Sequence, residues 1–137
     1  MNEFEKVLVC TAIHFIAYRI FQLVPLPKQW EGHRLRISNN VIHSLSATSV
    51  AMLIIYLVYI NSQVLEHYGR WVIYMQAGFH IFDMITYGPC GLLSKDVLAH
   101  HAVVVLTSFL FLIASIPTKY TLTGMLLTNL TAPLQDS

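Results

Sequence analysis

The sequence predicts an all-α, multi-pass bundle of transmembrane helices, about four spans plus a partial fifth, and three observations predict it. Hydrophobic residues make up 55% of the chain and charged residues only 11%, with a mean hydropathy of +0.59, against a typical charged share of about 25%. The apolar residues collect into runs approaching the ~20 residues that a spanning helix needs. Polar, turn-rich connectors separate those runs.

Five runs stand out along the chain. The first, Val7–Val24, carries His14 and Arg19, and reads either as a polar-faced span or as an interfacial helix. The second, Val41–Ile60, has no charged residue and is the clearest span. Trp71–Tyr87 is shorter, holds His80 and Asp83, and spans only if it is extended or tilted. Val97–Ile116 is long enough to span, its polar content being His100, His101 and hydroxyl side chains. Tyr120–Leu134 is too short to span and carries Asn129 and Pro133. The connectors PLPKQWEGHR, NSQVLEHYGR and GPCGLLSKD divide the first four runs, and IPTK breaks the chain after the fourth. No repeat and no low-complexity tract interrupts a single domain, 1–137.

Composition also excludes some functions. A net charge of +1 leaves no basic face to track phosphates, so no nucleic-acid partner is expected. Cys10 and Cys90 give no disulfide framework and no paired-thiolate zinc pattern. Glu3 and Glu5 give the N-terminus the wrong charge for a secretory leader, so the first run is expected to be retained. Lys28, Arg34, Arg36 and Lys95 weight the side holding the first and third connectors, which places the first loop in the cytosol by the positive-inside rule. Trp30, Trp71, Tyr74 and Tyr120 lie near run ends, as an interfacial belt would.

The candidate site comes from helical period and depth. Gln76, His80, Asp83 and Tyr87 stand at i, i+4, i+7 and i+11, one stripe of the third helix. An ionisable group inside a span is costly, so Asp83 must face protein or a water-filled cavity. His43 begins the second run, Asp83 nears the end of the third, and His100 and His101 open the fourth. At 1.5 Å per residue, alternating helices bring these four to one depth, within roughly 10 Å of one membrane face. Ser44, Ala47, Thr48 and Ala51 form a small-residue stripe for close helix approach. His101, Ser108 and Ser115 share a second stripe, and His100 points about 100° away from His101. His14 and His67 read as interfacial residues bonding loop carbonyls. A di-iron centre needs several histidine boxes, and among seven histidines only His100 and His101 are close-spaced. No metal ligand set and no cofactor is therefore assigned. An imidazole oriented by a carboxylate is instead a general base or nucleophile for acyl transfer. The same cavity would also hold an amphiphile without reacting with it.

The segments WEGHRLRISNNVIHSLSATSV, FHIFDMI, DVLAHHAVVV and TNLTAPLQ, in this order and spacing, resemble the TLC domain, the membrane family of ceramide synthases, TRAM translocon proteins and several lipid-homeostasis proteins. The resemblance covers residues 30–135. In the ceramide synthases it implies an N-acyltransferase that uses acyl-CoA and a sphingoid base. His100, His101 and Asp83 would then be catalytic, with His43 and Ser44 at the cavity; the helical stripes add Gln76, His80, Tyr87 and Ser108 to the lining of the lipid site. The run after the histidines has no acid, and Asn129 stands where many relatives carry glutamate. The loop LVPLPKQW is more similar to the small TLC-domain-containing proteins, some of which are linked to phospholipid composition and fluidity. That branch implies membrane lipids as partners, in the endoplasmic reticulum or plasma membrane. Relatives continue with at least two more helices, so the resemblance leads us to expect a shortened domain. Such a domain is expected to be unstable alone or to rely on a homo-oligomer or helix partners.

Overall fold

Each apolar run becomes one helix, and the polar punctuation becomes the turns. The computed structural model describes residues 1–135 apart from residue 115, with side chains through Leu127. Helix α1 covers Glu3–Gln22 and opens on a capping box. The Asn2 side chain accepts from the Glu5 backbone at 2.8 Å, and the Glu5 carboxylate accepts from the Asn2 backbone at 3.2 Å. Pro25 and Pro27 prevent its continuation. A 3-10 turn at Lys28–His33 leads into α2, Arg34–Ile55, which runs on as a π turn over Tyr56–Ile60. A short 3-10 turn at Ser62–Val64 precedes α3, Leu65–Tyr87. Gly88 and Pro89 end that helix, and Gly91 takes the left-handed conformation, φ 74°, in the turn that follows. Ser94 caps α4, Lys95–Ile113, by accepting from the Val97 backbone at 3.3 Å. After Pro117, α5 runs over Thr118–Gln135.

Contacts fix the directions of these helices. Glu3 on α1 meets Arg70 and Tyr74 near the start of α3, and Tyr18 on α1 meets Tyr87 at its end, so α1 and α3 are parallel. Asn39 and His43 on α2 meet Asp83 and Phe79, an antiparallel pairing. On α4, His101 meets Asp83 and the Leu112 carbonyl meets Arg70, again antiparallel. Thr118 at the start of α5 bonds Glu66 at the start of α3. Successive helices therefore alternate in direction, and α3 packs against each of the other four.

Packing at α3 relies on two glycines. A Cβ on Gly78 would lie 2.7 Å from the Thr11 backbone nitrogen and 2.9 Å from the Cys10 carbonyl carbon. One on Gly69 would lie 2.7 Å from the Thr118 methyl. Around these contacts Val7, Cys10, Val50, Ile54, Val72, Ala77 and Leu122 form the main core. Ile42, Phe79, Phe82 and Tyr87 form a second cluster toward the far end of α3. At that end the Arg34 guanidinium closes α1, donating to the Phe21 and Gln22 carbonyls at 3.1 and 3.3 Å while holding Glu31 at 2.9 Å.

Several expectations change here. The helices begin earlier than the apolar runs, most of all α2, which starts at Arg34 ahead of Val41, and α3, where Leu65 and Gly69 are buried ahead of Trp71. The close approach expected of the Ser44–Ala51 stripe belongs to Gly78: Ser44 and Thr48 are exposed, and only Ala51 is packed on the core. Only the segments Lys28–Ile60 and Lys95–Ile113 are long and apolar enough to cross a membrane, among the described residues. The fold is all-helical among the described residues. Ser115, placed on the stripe with His101, lies outside the described residues, as does the side chain of Asn129.

The glycine contact yields a stability test. Gly78→Ala has backbone rather than a flexible side chain in its way, so we expect it to lose about 1–3 kcal/mol in unfolding from micelles. Gly32→Ala, which meets open space, is expected to stay within about 0.5 kcal/mol of the parent.

Candidate functional site

Helix α3 turns Gln76, His80, Asp83 and Tyr87 into the protein, and all four are buried, as their period predicts. Asp83 is 1% exposed, and both its oxygens are engaged. Oδ2 lies 2.5 Å from His101 Nε2 on α4, and Oδ1 accepts from Asn39 Nδ2 on α2 at 3.1 Å. One carboxylate thus ties three helices together. An unpaired carboxylate at this depth would cost several kcal/mol, and donors on both oxygens offset that cost.

His101 is 3% exposed. A carboxylate at Nε2 holds the hydrogen on that nitrogen, so Nδ1 presents its lone pair. Nδ1 is buried with no hydrogen-bond partner among the described residues. His80 is oriented in the same manner, its Nδ1 donating to the Gln76 carbonyl at 2.8 Å, one turn earlier on α3. A carbonyl only accepts, so the hydrogen sits on Nδ1 and the lone pair on Nε2. The His80 and His101 rings meet edge to face with centroids 4.6 Å apart. His100 is half-buried, with its ring 5.9 Å from His101 and 6.1 Å from His80.

The remaining predicted residues divide. His43 reaches the group through a ring, standing edge-on to Phe79 at 5.5 Å, and Phe79 in turn contacts His80 and His101. Tyr87 leaves the histidine group and pairs its hydroxyl with Ser38 at 2.9 Å. It packs there among Tyr18 and Phe82. Ser108 is buried two turns along α4, and its hydroxyl donates to the Val104 carbonyl at 2.7 Å, a bond within its own helix. Ser44 is exposed, so its place in the lining is withdrawn: α2 turns His43 inward and the next residue outward. His67 is exposed, as its interfacial reading requires. His14 is not interfacial. It is buried on α1, bonds the Cys10 carbonyl at 2.8 Å and packs on Phe79 and Phe82.

Asn39 and Ser38 escape sequence reasoning because they lie between the first connector, which ends at Arg34, and the second apolar run. A signal was present: Asn39 stands four residues before His43, on the same face of a helix that starts at Arg34. The third histidine of the group, His80, was read as lining, apart from the adjacent pair. A comparison with known protein families, curated proteins and solved structures finds no match.

The double tie at Asp83 sets a ranking of variants. Asp83→Ala strands His101 and Asn39 together and is expected to lose about 3–5 kcal/mol. Asn39→Ala is expected to lose about 1–2 kcal/mol, and Ser44→Ala less than about 0.5 kcal/mol. Denaturant unfolding in bicelles, followed by circular dichroism, orders the three.

Proposed function

We propose that this chain is a multi-pass membrane protein of the TLC type, acting in membrane lipid homeostasis, on phospholipid composition and fluidity, through the buried group around Asp83. The observation that carries the reading is a carboxylate–imidazole pair, Asp83–His101 at 2.5 Å, enclosed among helices whose outer faces are apolar. In the two segments apolar enough to span, only 22% and 17% of the most apolar window is buried. A core helix of a water-soluble protein would be mostly buried. Leu45, Met52 and Leu53 on α2 and Val103, Leu106 and Leu110 on α4 face outward. Inward polar and outward apolar residues are the arrangement a lipid solvent favours.

The other helices fit a bundle of about four spans. At 1.5 Å per residue, the 20 residues of α1 and 23 of α3 reach about 30 and 34 Å, comparable with a hydrocarbon core of about 30 Å. Their directions alternate, as successive spans must. Charged contacts gather at the two ends: Glu3, Lys6 and Arg70 at one, Glu31 and Arg34 at the other. The His/Asp group sits near the second end, at the level where an amphiphile's head would enter with its tail between helices. The endoplasmic reticulum and the plasma membrane are the compartments the resemblance favours.

A second reading is acyl transfer from acyl-CoA to a sphingoid amine. The free Nδ1 lone pair of His101, opposite its Asp83-bound nitrogen, favours it. His101 Nδ1 would take a proton from the amine as nitrogen attacks the thioester carbonyl. The C–S bond then breaks, and that proton passes to the departing thiolate, giving amide and free CoA.

Membranes expressing the chain, fed labelled acyl-CoA and a sphingoid base, test both readings by lipid mass spectrometry. We expect a shift in phospholipid acyl composition that His101→Ala, inserted at equal level, abolishes. Labelled ceramide from the parent but not from the variant would establish acyl transfer instead. Identity with empty membranes would overturn both.

A further inference from the structure

We propose that His80, His100 and His101 form a binding site for a divalent first-row transition-metal ion of the zinc type, oriented by Asp83 and by the Gln76 carbonyl. The site goes beyond the lipid reading and does not depend on it.

The three side chains come from two helices, and each offers a ring nitrogen, the three lying within 4.8 Å of one another. Ligand nitrogens around a tetrahedral zinc ion at 2.0–2.1 Å lie about 3.4 Å apart. The three nitrogens therefore have only a short distance to close before they hold an ion. Sequence spacing hides the set, because His80 is a helix away from the adjacent pair.

The outer shell is the stronger argument. Metal-bound histidines nearly always donate their other ring nitrogen to a carboxylate or a backbone carbonyl, which fixes the tautomer and raises ligand basicity. Both arrangements occur here, one on each buried ring. Asp83 holds His101 by Nε2 and leaves Nδ1 as the ligand atom. The Gln76 carbonyl holds His80 by Nδ1 and leaves Nε2. Nothing among the described residues satisfies His101 Nδ1, although the ring is almost wholly buried. Buried polar atoms without partners are rare, and an ion supplies the missing one.

Charge supports the same assignment. Three neutral imidazoles bring no charge of their own, and the adjacent Asp83 carboxylate offsets half that of a divalent ion. Nitrogen ligands without thiolate suit zinc, copper, nickel or cobalt over magnesium or calcium. Three protein ligands also leave a fourth position open, as in catalytic rather than structural zinc sites. Metal on His101 Nδ1 takes the lone pair that acyl transfer by this base requires. The two uses of His101 exclude one another.

Cobalt(II) is the probe. The full chain in detergent micelles, stripped with chelator and titrated with Co2+, is expected to develop the intense visible d–d absorption of a tetrahedral or five-coordinate ion. One equivalent should saturate it, and Zn2+ should abolish it. His80→Gln and His101→Gln are expected to lose the absorption while keeping parental helicity by circular dichroism. Asp83→Asn, which keeps the shape but removes the charge, should weaken binding by roughly 10–100-fold. His67→Gln should change nothing, since that ring is exposed and distant in the chain. Absence of the absorption in the parent, or its persistence in both His80→Gln and His101→Gln, overturns the proposal. Should either glutamine variant lose helicity, Asp83→Asn decides by its affinity. The lipid measurement is independent: a lipid shift without cobalt binding sinks the metal site alone, and cobalt binding without a lipid shift sinks the lipid reading alone.

Discussion

The Asp83 carboxylate is the constraint on which the rest of the bundle depends. It is an acid in the interior, 1% exposed, and it is tolerable there only with donors on both oxygens. Those donors come from different helices, Asn39 on α2 and His101 on α4. Apolar side chains would allow α2 or α4 to slide along α3 at little cost, because dispersion contacts are non-directional and interchangeable. A slide of one turn, 5.4 Å, would leave a buried charge stranded. The carboxylate therefore fixes the register of three helices at once, and in doing so it also fixes the tautomer of His101. Structure and chemistry rest on the same hydrogen bond.

The opposite end of α3 is held in an analogous but wetter manner. Glu3 accepts from Arg70 and from the Tyr74 hydroxyl, which ties the start of α1 to the start of α3. Thr118 donates to Glu66 and does the same for α5. Tyr74 and Thr118 are buried, but the charged partners Glu3, Arg70 and Glu66 are open to water, which competes for them, so each contact contributes less than the buried pair. Between the two ends, α1 and α3 approach closely enough that Gly78 admits no side chain. The bundle is thus pinned by polar contacts at both ends of its central helix and closed by shape in the middle. A change at one end is expected to loosen that end first.

The parts of this arrangement legible in the sequence are those set by local periodicity. The stripe Gln76, His80, Asp83, Tyr87 follows from 3.6 residues per turn alone, and its burial follows from the cost of Asp83. Matching depths of Asp83 and His101 follow from alternating helices of similar length. Lateral choices were not legible. Small residues on α2 and a glycine on α3 both permit close approach, and only packing decides that Gly78 meets α1 while Ser44 faces outward. His14 looked interfacial because it lies in a run with Arg19, yet it stacks on Phe82 in the interior. Asn39 falls outside the second apolar run because the helix it belongs to begins before that run does. In each case the missing information was which face meets which neighbour, a three-dimensional choice that one helix's period does not contain.

Adjacent histidines at the mouth of an apolar helix raise the question of what each one does, and geometry gives the two different partners. Successive side chains on a helix diverge by about 100°, so only one of the pair can point at the Asp83 carboxylate. That one is His101, almost wholly buried and held at Nε2. His100 stays half-buried at the edge of the group, beside both other rings. The division makes His101 the element held by the carboxylate and leaves His100 at the rim, beside the two oriented lone pairs. His80 reinforces this from α3, since its own carbonyl tether leaves it no choice of tautomer. Two rings with predetermined lone pairs and a third beside them make a receptor for an electrophile, a proton or an ion. The chemistry at this end of the bundle follows from that asymmetry, and the asymmetry follows from placing two histidines side by side on a helix that has one acid to face.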